Sequence, residues 1–136
     1  MIKILVIDDE QGIRDLLDLL LSRKGYDVVV AENGREGLKA VRRERPDVVV
    51  LDLKMPGMDG LTVLQEIRNL DPNKPVIILT GAGTAEAEQQ VRAFGVTEYV
   101  EKEFSLHLLG DSLKRLLIDP APTDNTKSPP IAERAL

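Results

Sequence analysis

Four short aliphatic runs recur along the chain: Ile2 to Ile7, broken only by Lys3, then Val28 to Ala31, Val48 to Leu51 and Val76 to Leu79. Each is too short for a core helix and lacks the polar alternation of a half-wet strand, so each is expected to be a strand buried on both faces. Segments with helical spacing lie between them. Ile13, Leu16, Leu17 and Leu20 fall on one stripe, and Leu61, Leu64 and Ile67 fall on another. The breakers cut the chain at the same places: Gly25 ends the first helix, Gly34 opens the second, Pro46 closes it, and Pro72 and Pro75 separate the third helix from the fourth strand. A fourth helix is expected over Thr84 to Phe94, stopped by Gly95, and a fifth strand around Thr97 to Glu101. A fifth helix would carry Leu106, Leu109, Leu113, Leu116 and Leu117 on one face, weakened slightly by Gly110.

Strands that alternate with helices through short connections require crossovers, and crossovers make neighbouring strands parallel. The expected fold class is therefore α/β, a doubly wound five-stranded parallel sheet covered by five helices. A chain of 136 residues is the size of one ordinary domain. After Ile118 the pattern changes, because residues 119–136 carry four of the eight prolines and show no periodicity until their last positions. The reading is a domain over 1–118 followed by a proline-rich tail or linker over 119–136.

Composition narrows the chemistry. There is no cysteine, which excludes disulfides, thiolate metal sites and thiol nucleophiles, and the one histidine, His107, cannot build a His-rich zinc site. Aromatics make up only 3% of the residues, and 18 Lys and Arg against 23 Asp and Glu give a net charge of -5. Both features disfavour direct nucleic-acid binding, by stacking or by charge. The longest apolar runs are a few residues, and the N-terminus has no signal-peptide pattern, so no membrane segment and a cytoplasmic location are expected. Oxygen chemistry remains.

In an open parallel sheet, ligands sit outside the carboxyl ends of the strands. The first strand ends in Asp8, Asp9 and Glu10, the third in Asp52, the fourth in Thr80, and the fifth leads to Lys102. Each alone has an ordinary structural explanation: Asp9 could cap the first helix, Asp52 could start a turn before Met55-Pro56-Gly57, Thr80 is a common strand residue, and Lys102 could be a solvated charge. Together they are more specific. Carboxylates gathered at neighbouring strand ends repel one another, and a divalent cation removes that cost. Oxygen ligands without nitrogen or sulfur favour Mg2+.

These residues resemble the receiver domain of two-component response regulators. The resemblance rests on Ile4-Leu5-Val6-Ile7-Asp8-Asp9-Glu10, on the block from Leu51-Asp52-Leu53-Lys54 through Met55-Pro56-Gly57-Met58-Asp59-Gly60, on Thr80-Gly81-Ala82 and on Tyr99-Val100-Glu101-Lys102. It covers residues 1 to about 118 and implies a flavodoxin-like sheet of strand order 2-1-3-4-5. By the same resemblance Asp52 is the phosphoacceptor, Asp9 a direct Mg2+ ligand, Asp8 a ligand acting mainly through water, and the Lys54 carbonyl a third protein ligand. Thr80 and Lys102 would each engage a phosphoryl oxygen, and Tyr99 would be the switch aromatic that turns inward as Thr80 moves. The ordinary reading of Tyr99 is a strand tyrosine with a wet hydroxyl. A carboxylate needs no base to attack phosphorus, so in-line positioning and charge neutralisation would carry the transfer.

The implied partners are a sensor histidine kinase or phosphotransfer protein upstream, and downstream a protein target or an effector domain beyond this chain. The polar helix bearing Glu86, Glu88, Gln89, Gln90 and Arg92 would belong to the reporting surface, or be a solvated face. The only catalysis expected is Mg2+-dependent self-phosphorylation and self-dephosphorylation. One departure from the family pattern is Glu103 where proline usually follows the lysine. A trans Lys102-Glu103 peptide is expected there, since a cis bond before a non-proline residue costs about 2.5 to 4 kcal/mol. Three other readings compete. A haloacid-dehalogenase-type phosphatase wants aspartate at position 54, where lysine stands, and a flavin binder wants a Ser/Thr/Gly phosphate loop where the chain is acidic. A receiver-fold interaction module that signals without phosphorylation is the remaining rival.

Overall fold

The computed structural model describes residues 1–81, 85–96 and 98–101. Strand β1 (Lys3–Ile7), helix α1 (Gln11–Arg23), β2 (Asp27–Ala31), α2 (Gly34–Glu44), β3 (Val48–Leu51), α3 (Gly60–Leu70), β4 (Val76–Thr80), α4 (Ala85–Ala93) and β5 (Glu98–Glu101) follow in order. All pairings are parallel, and the strands lie in the order β2-β1-β3-β4-β5. The doubly wound flavodoxin-like sheet expected from the sequence is present. The expected fifth helix with its leucine stripe, His107 and the tail over 119–136 lie outside the described residues.

Alternation along the strands separates two apolar layers. Leu5, Ile7, Val49, Leu51, Val76 and Ile78 pack with Leu38, Val41, Val63, Leu64, Ile67 and Val91 from α2, α3 and α4. Ile4, Val6, Val48, Val50, Ile77 and Leu79 face the other way, onto Leu17 and Leu21 of α1. Strands β1, β3 and β4 are therefore buried on both faces as expected, but β2 is not. Among the described strands it forms the edge of the sheet with β1 as its one neighbour, and it leaves Val30 exposed. The α1 stripe also differs from expectation. Leu17 and Leu21, one turn apart, are its buried pair, while Ile13, Leu16 and Leu20 are half-buried on its flanks. Gly25, at φ 96, ends that helix by taking the left-handed conformation and donating its N–H to the Ser22 carbonyl (3.0 Å).

Among the described residues, helix α4 has few attachments. Its one buried residue is Val91, and residues Ala85 and Glu86 at its start are exposed. The fastening at its far end comes from Arg68 of α3, whose Nε donates to the Phe94 carbonyl (2.6 Å) and Nη2 to the Gly95 carbonyl (2.8 Å). Arg68 Nη1 donates to the carbonyls of Lys74 (2.8 Å) and Asp71 (3.3 Å) in the loop before β4. Burial holds the Arg68 guanidinium below its ordinary pKa, with nearby Asp71 opposing the shift.

Candidate functional site

Strand register decides which side chains meet. Ile7 pairs with Ala31 on one side and Leu51 on the other, so the residues that follow, Asp8 and Asp52, leave adjacent strands abreast. The Asp8 N–H donates to the Ala31 carbonyl (3.1 Å) and the Asp52 N–H to the Ile7 carbonyl (3.0 Å), carrying the ladder one step past each strand. Both side chains are buried, at 2% and 3% exposure. Buried carboxylates are costly unless hydrogen-bonded, and each accepts an N–H from two residues further on. Asp8 Oδ1 takes the Glu10 N–H at 2.9 Å, and Asp52 Oδ1 takes the Lys54 N–H at 3.3 Å. Arg14 from α1 donates to the Asp8 carbonyl (2.7 Å), tying the turn to the helix behind it.

Carboxylate oxygens of Asp8, Glu10 and Asp52 lie within 4.8 Å of one another. Asp9 is not one of this group, and its side chain is exposed. Nor does Asp9 cap α1, as the sequence allowed. The N-cap residue is Glu10, and its side chain makes no capping hydrogen bond. Glu10 itself has an extended backbone (φ -90, ψ 115), and the chain bends at Asp9, between the two grouped carboxylates. Glu10 stands beside the aspartate pair in the sequence, but nothing in its spacing marks it over Asp9 as the grouped carboxylate. Three oxygen donors of this kind, two of them buried, suit a hard divalent cation.

The loop after Asp52 is pinned at both ends. Gly60, the first residue of α3, donates its N–H to the Leu53 carbonyl (2.9 Å), and Asp59 Oδ1 caps the helix by accepting the Thr62 N–H (2.9 Å). The approach at Gly60 leaves no room for a side chain. A Cβ there would stand 2.5 Å from Leu53 Cα and closer still to the Asp52 carbonyl oxygen. Within the loop, Met55 is buried while Lys54 is exposed.

Thr80 ends β4 with no exposed surface, opposite Glu101 in the β5 register. Lys102, Glu103 and the peptide bond between them lie outside the described residues, as do Ala82 and Thr84. Tyr99 sits beside Ile78, half-buried, and packs against the layer under α3 and α4. Its hydroxyl oxygen is buried, so the wet hydroxyl of the ordinary reading is not what the structure holds. Among the described residues no helix is long and apolar enough to cross a membrane.

Comparison with known proteins gives consistent matches. The response regulator receiver domain model matches residues 4–114. The sporulation initiation phosphotransferase F of Bacillus subtilis is 39% identical over 115 residues, covering 85% of this chain and 93% of that protein. The transcriptional regulatory protein GlrR of Escherichia coli is 40% identical over 117 residues, which cover 82% of this chain but only 26% of the relative. Among solved structures, the response regulator protein TrrA of Thermotoga maritima, in complex with Mg(2+)-BeF, superposes with a TM-score of 0.77 at 39% identity over 86% of this chain and 100% of that one. The chemotaxis protein CheY4 of Vibrio cholerae gives 0.81 at 33% identity, with 86% and 99% covered.

Proposed function

The chain belongs to the response regulator receiver domain family, and on that premise we propose that it accepts a phosphoryl group on Asp52 from a phosphohistidine of a sensor kinase or phosphotransfer protein. The observation that carries this reading is the placement of Asp52, buried in the middle of the rim with the Asp8 and Glu10 carboxylates within 4.8 Å. An Asp52 oxygen forms the new bond to phosphorus as the P–N bond to the donor imidazole breaks, and the imidazole leaves with the electron pair. No general base takes part. Mg2+, when bound, offsets the charge that gathers between carboxylates and phosphoryl oxygens.

Asp8, Asp52 and the Lys54 carbonyl are the groups proposed to hold that ion, with Asp9 as the direct ligand that the family pattern implies and Glu10 as a further carboxylate at the rim. Thr80, buried at the end of β4, would donate its hydroxyl to one phosphoryl oxygen, and Lys102 would pair with another. An acyl phosphate brings charge and acceptor oxygens that draw such groups inward. Tyr99, packed between the sheet and its helices, is the proposed switch residue, and a protein target or effector domain reads the change. Cytoplasmic localisation accompanies this reading.

The test is labelling from a small phosphodonor with Mg2+. Wild type should acquire a hydroxylamine-sensitive label, and Asp52→Asn should lose it. Comparable label retained on another aspartate would overturn the assignment.

A further inference from the structure

Glu10 is the one member of the carboxylate group whose side chain is exposed; Asp8 and Asp52 are 2% and 3% exposed. Its place is also unusual for an N-cap residue, since its side chain makes no capping hydrogen bond and its carboxylate instead lies within 4.8 Å of those of Asp8 and Asp52. The backbone fixes it there: the Glu10 N–H is held by Asp8 Oδ1 at 2.9 Å, and the Arg14 N–H returns to the Glu10 carbonyl at 3.1 Å as α1 begins. A group bonded to an Asp52 oxygen therefore stands within several ångströms of the Glu10 carboxylate, whose oxygen is within 4.8 Å of that of Asp52.

We propose that Glu10 sets which phosphodonors the site accepts, favouring N-phosphorylated donors of low negative charge over acyl phosphate dianions. The inference rests on the phosphoacceptor reading of Asp52. In either reaction an Asp52 oxygen bonds to phosphorus. With acetyl phosphate the bond from phosphorus to the acyl oxygen breaks and acetate leaves with the electron pair. With phosphoramidate the P–N bond breaks, and the nitrogen, already protonated, leaves as ammonia. Near neutral pH acetyl phosphate is a dianion and phosphoramidate, a zwitterion, carries one net negative charge. The two donors thus meet the Glu10 carboxylate with a difference of one unit charge. At about 6 Å in a water-like dielectric that difference corresponds to about threefold in rate, and to more where water is excluded.

The experiment measures Asp52 labelling rates from acetyl phosphate and from phosphoramidate, each at saturating Mg2+, in wild type, Glu10→Gln and Glu10→Ala. The expected result is a rise of about threefold or more in the ratio of acetyl phosphate rate to phosphoramidate rate in both variants, shrinking in high salt as the charge is screened. A change in the folded fraction would move both rates together and leave the ratio alone, and saturating Mg2+ holds ion occupancy equal across the variants. Wild-type labelling with an unchanged ratio in both variants overturns the role of Glu10 and leaves the phosphoacceptor reading standing. Labelling of wild type by neither donor overturns both.

Discussion

Replacing Gly60 by alanine tests how far the site depends on one close approach between backbones. The Cβ of the new residue would stand 2.5 Å from Leu53 Cα, with the Asp52 carbonyl oxygen nearer still. Ordinary contact begins near 3.4 Å, so the start of α3 and the end of β3 must part by roughly 1 Å, and neither is the flexible end of a side chain. Overpacking of this kind costs about 1 to 3 kcal/mol. Separation also weakens the hydrogen bond from the Gly60 N–H to the Leu53 carbonyl, for about 1 kcal/mol more. Against this, alanine restricts the unfolded chain and returns about 0.4 to 1 kcal/mol. The net loss is about 2 kcal/mol, a fall in Tm on the order of 8 °C for a domain of this size. Because the displaced atoms belong to Asp52 and its neighbour, phosphodonor labelling should slow by on the order of 100-fold, the usual consequence of a 1 Å misplacement. Gly12→Ala is the control, since a Cβ at Gly12 meets nothing within 4 Å; in α1 it should leave stability equal or raise it by about 0.5 to 1 kcal/mol. Thermal unfolding and the labelling rate together decide the matter. A Gly60→Ala protein as stable as wild type, labelled as fast, would refute the steric argument.

Three further expectations concern other parts of the molecule. Asp9→Asn should weaken Mg2+ binding while leaving the fold as stable or more so; an unchanged affinity in a calorimetric titration would move the ligand role to Asp8 and Glu10, the carboxylates grouped with Asp52. Arg68→Met removes donors from four main-chain carbonyls and should lower stability by about 2 to 4 kcal/mol, with faster amide exchange in α4; equal urea midpoints would contradict the fastening described for that helix. Hydrogen bonds from Arg43 and then Lys3 hold the Glu44 carboxyl below its ordinary pKa, so its contribution is complete above the unfolded value and is lost as pH falls through the lower folded one. Glu44→Gln should therefore flatten the acid side of the stability curve, and an unaltered pH dependence would show that the contact is without effect.

The sheet was legible because burial on both faces leaves uninterrupted aliphatic runs, and β1, β3 and β4 carry them. The same composition misleads at β2, where Val28, Val29 and Val30 look like a central strand although they lie at the edge. Valines in a row say that a strand forms, and only the pairing order says what covers it. At the site, strand ends pointed to Asp8, Asp52 and Thr80, and the structure buries all three. The gathering of Glu10 rather than Asp9 depends on side-chain direction in a three-residue exit from β1, which adjacency in sequence does not convey. Arg68 was illegible for a different reason. Its four acceptors are main-chain carbonyls from segments that the fold brings together, and a carbonyl has no sequence signature.

The uneven attachment of α4 has a thermodynamic consequence. Val91, the Phe94 carbonyl and the Gly95 carbonyl all fasten its second half, whereas its first residues are exposed. Loosening the first turn therefore exposes little apolar surface of the helix, since Ala85 and Glu86 are already exposed. Loosening the last turn would strip Val91 and Phe94 from the core and break the bonds to Arg68. Amide exchange along this one helix should then be graded, proceeding by local fraying at Glu86 to Gln90 and approaching the rate of global unfolding toward Phe94. The end that can open cheaply is the end joined to Thr80 by the shorter stretch of chain.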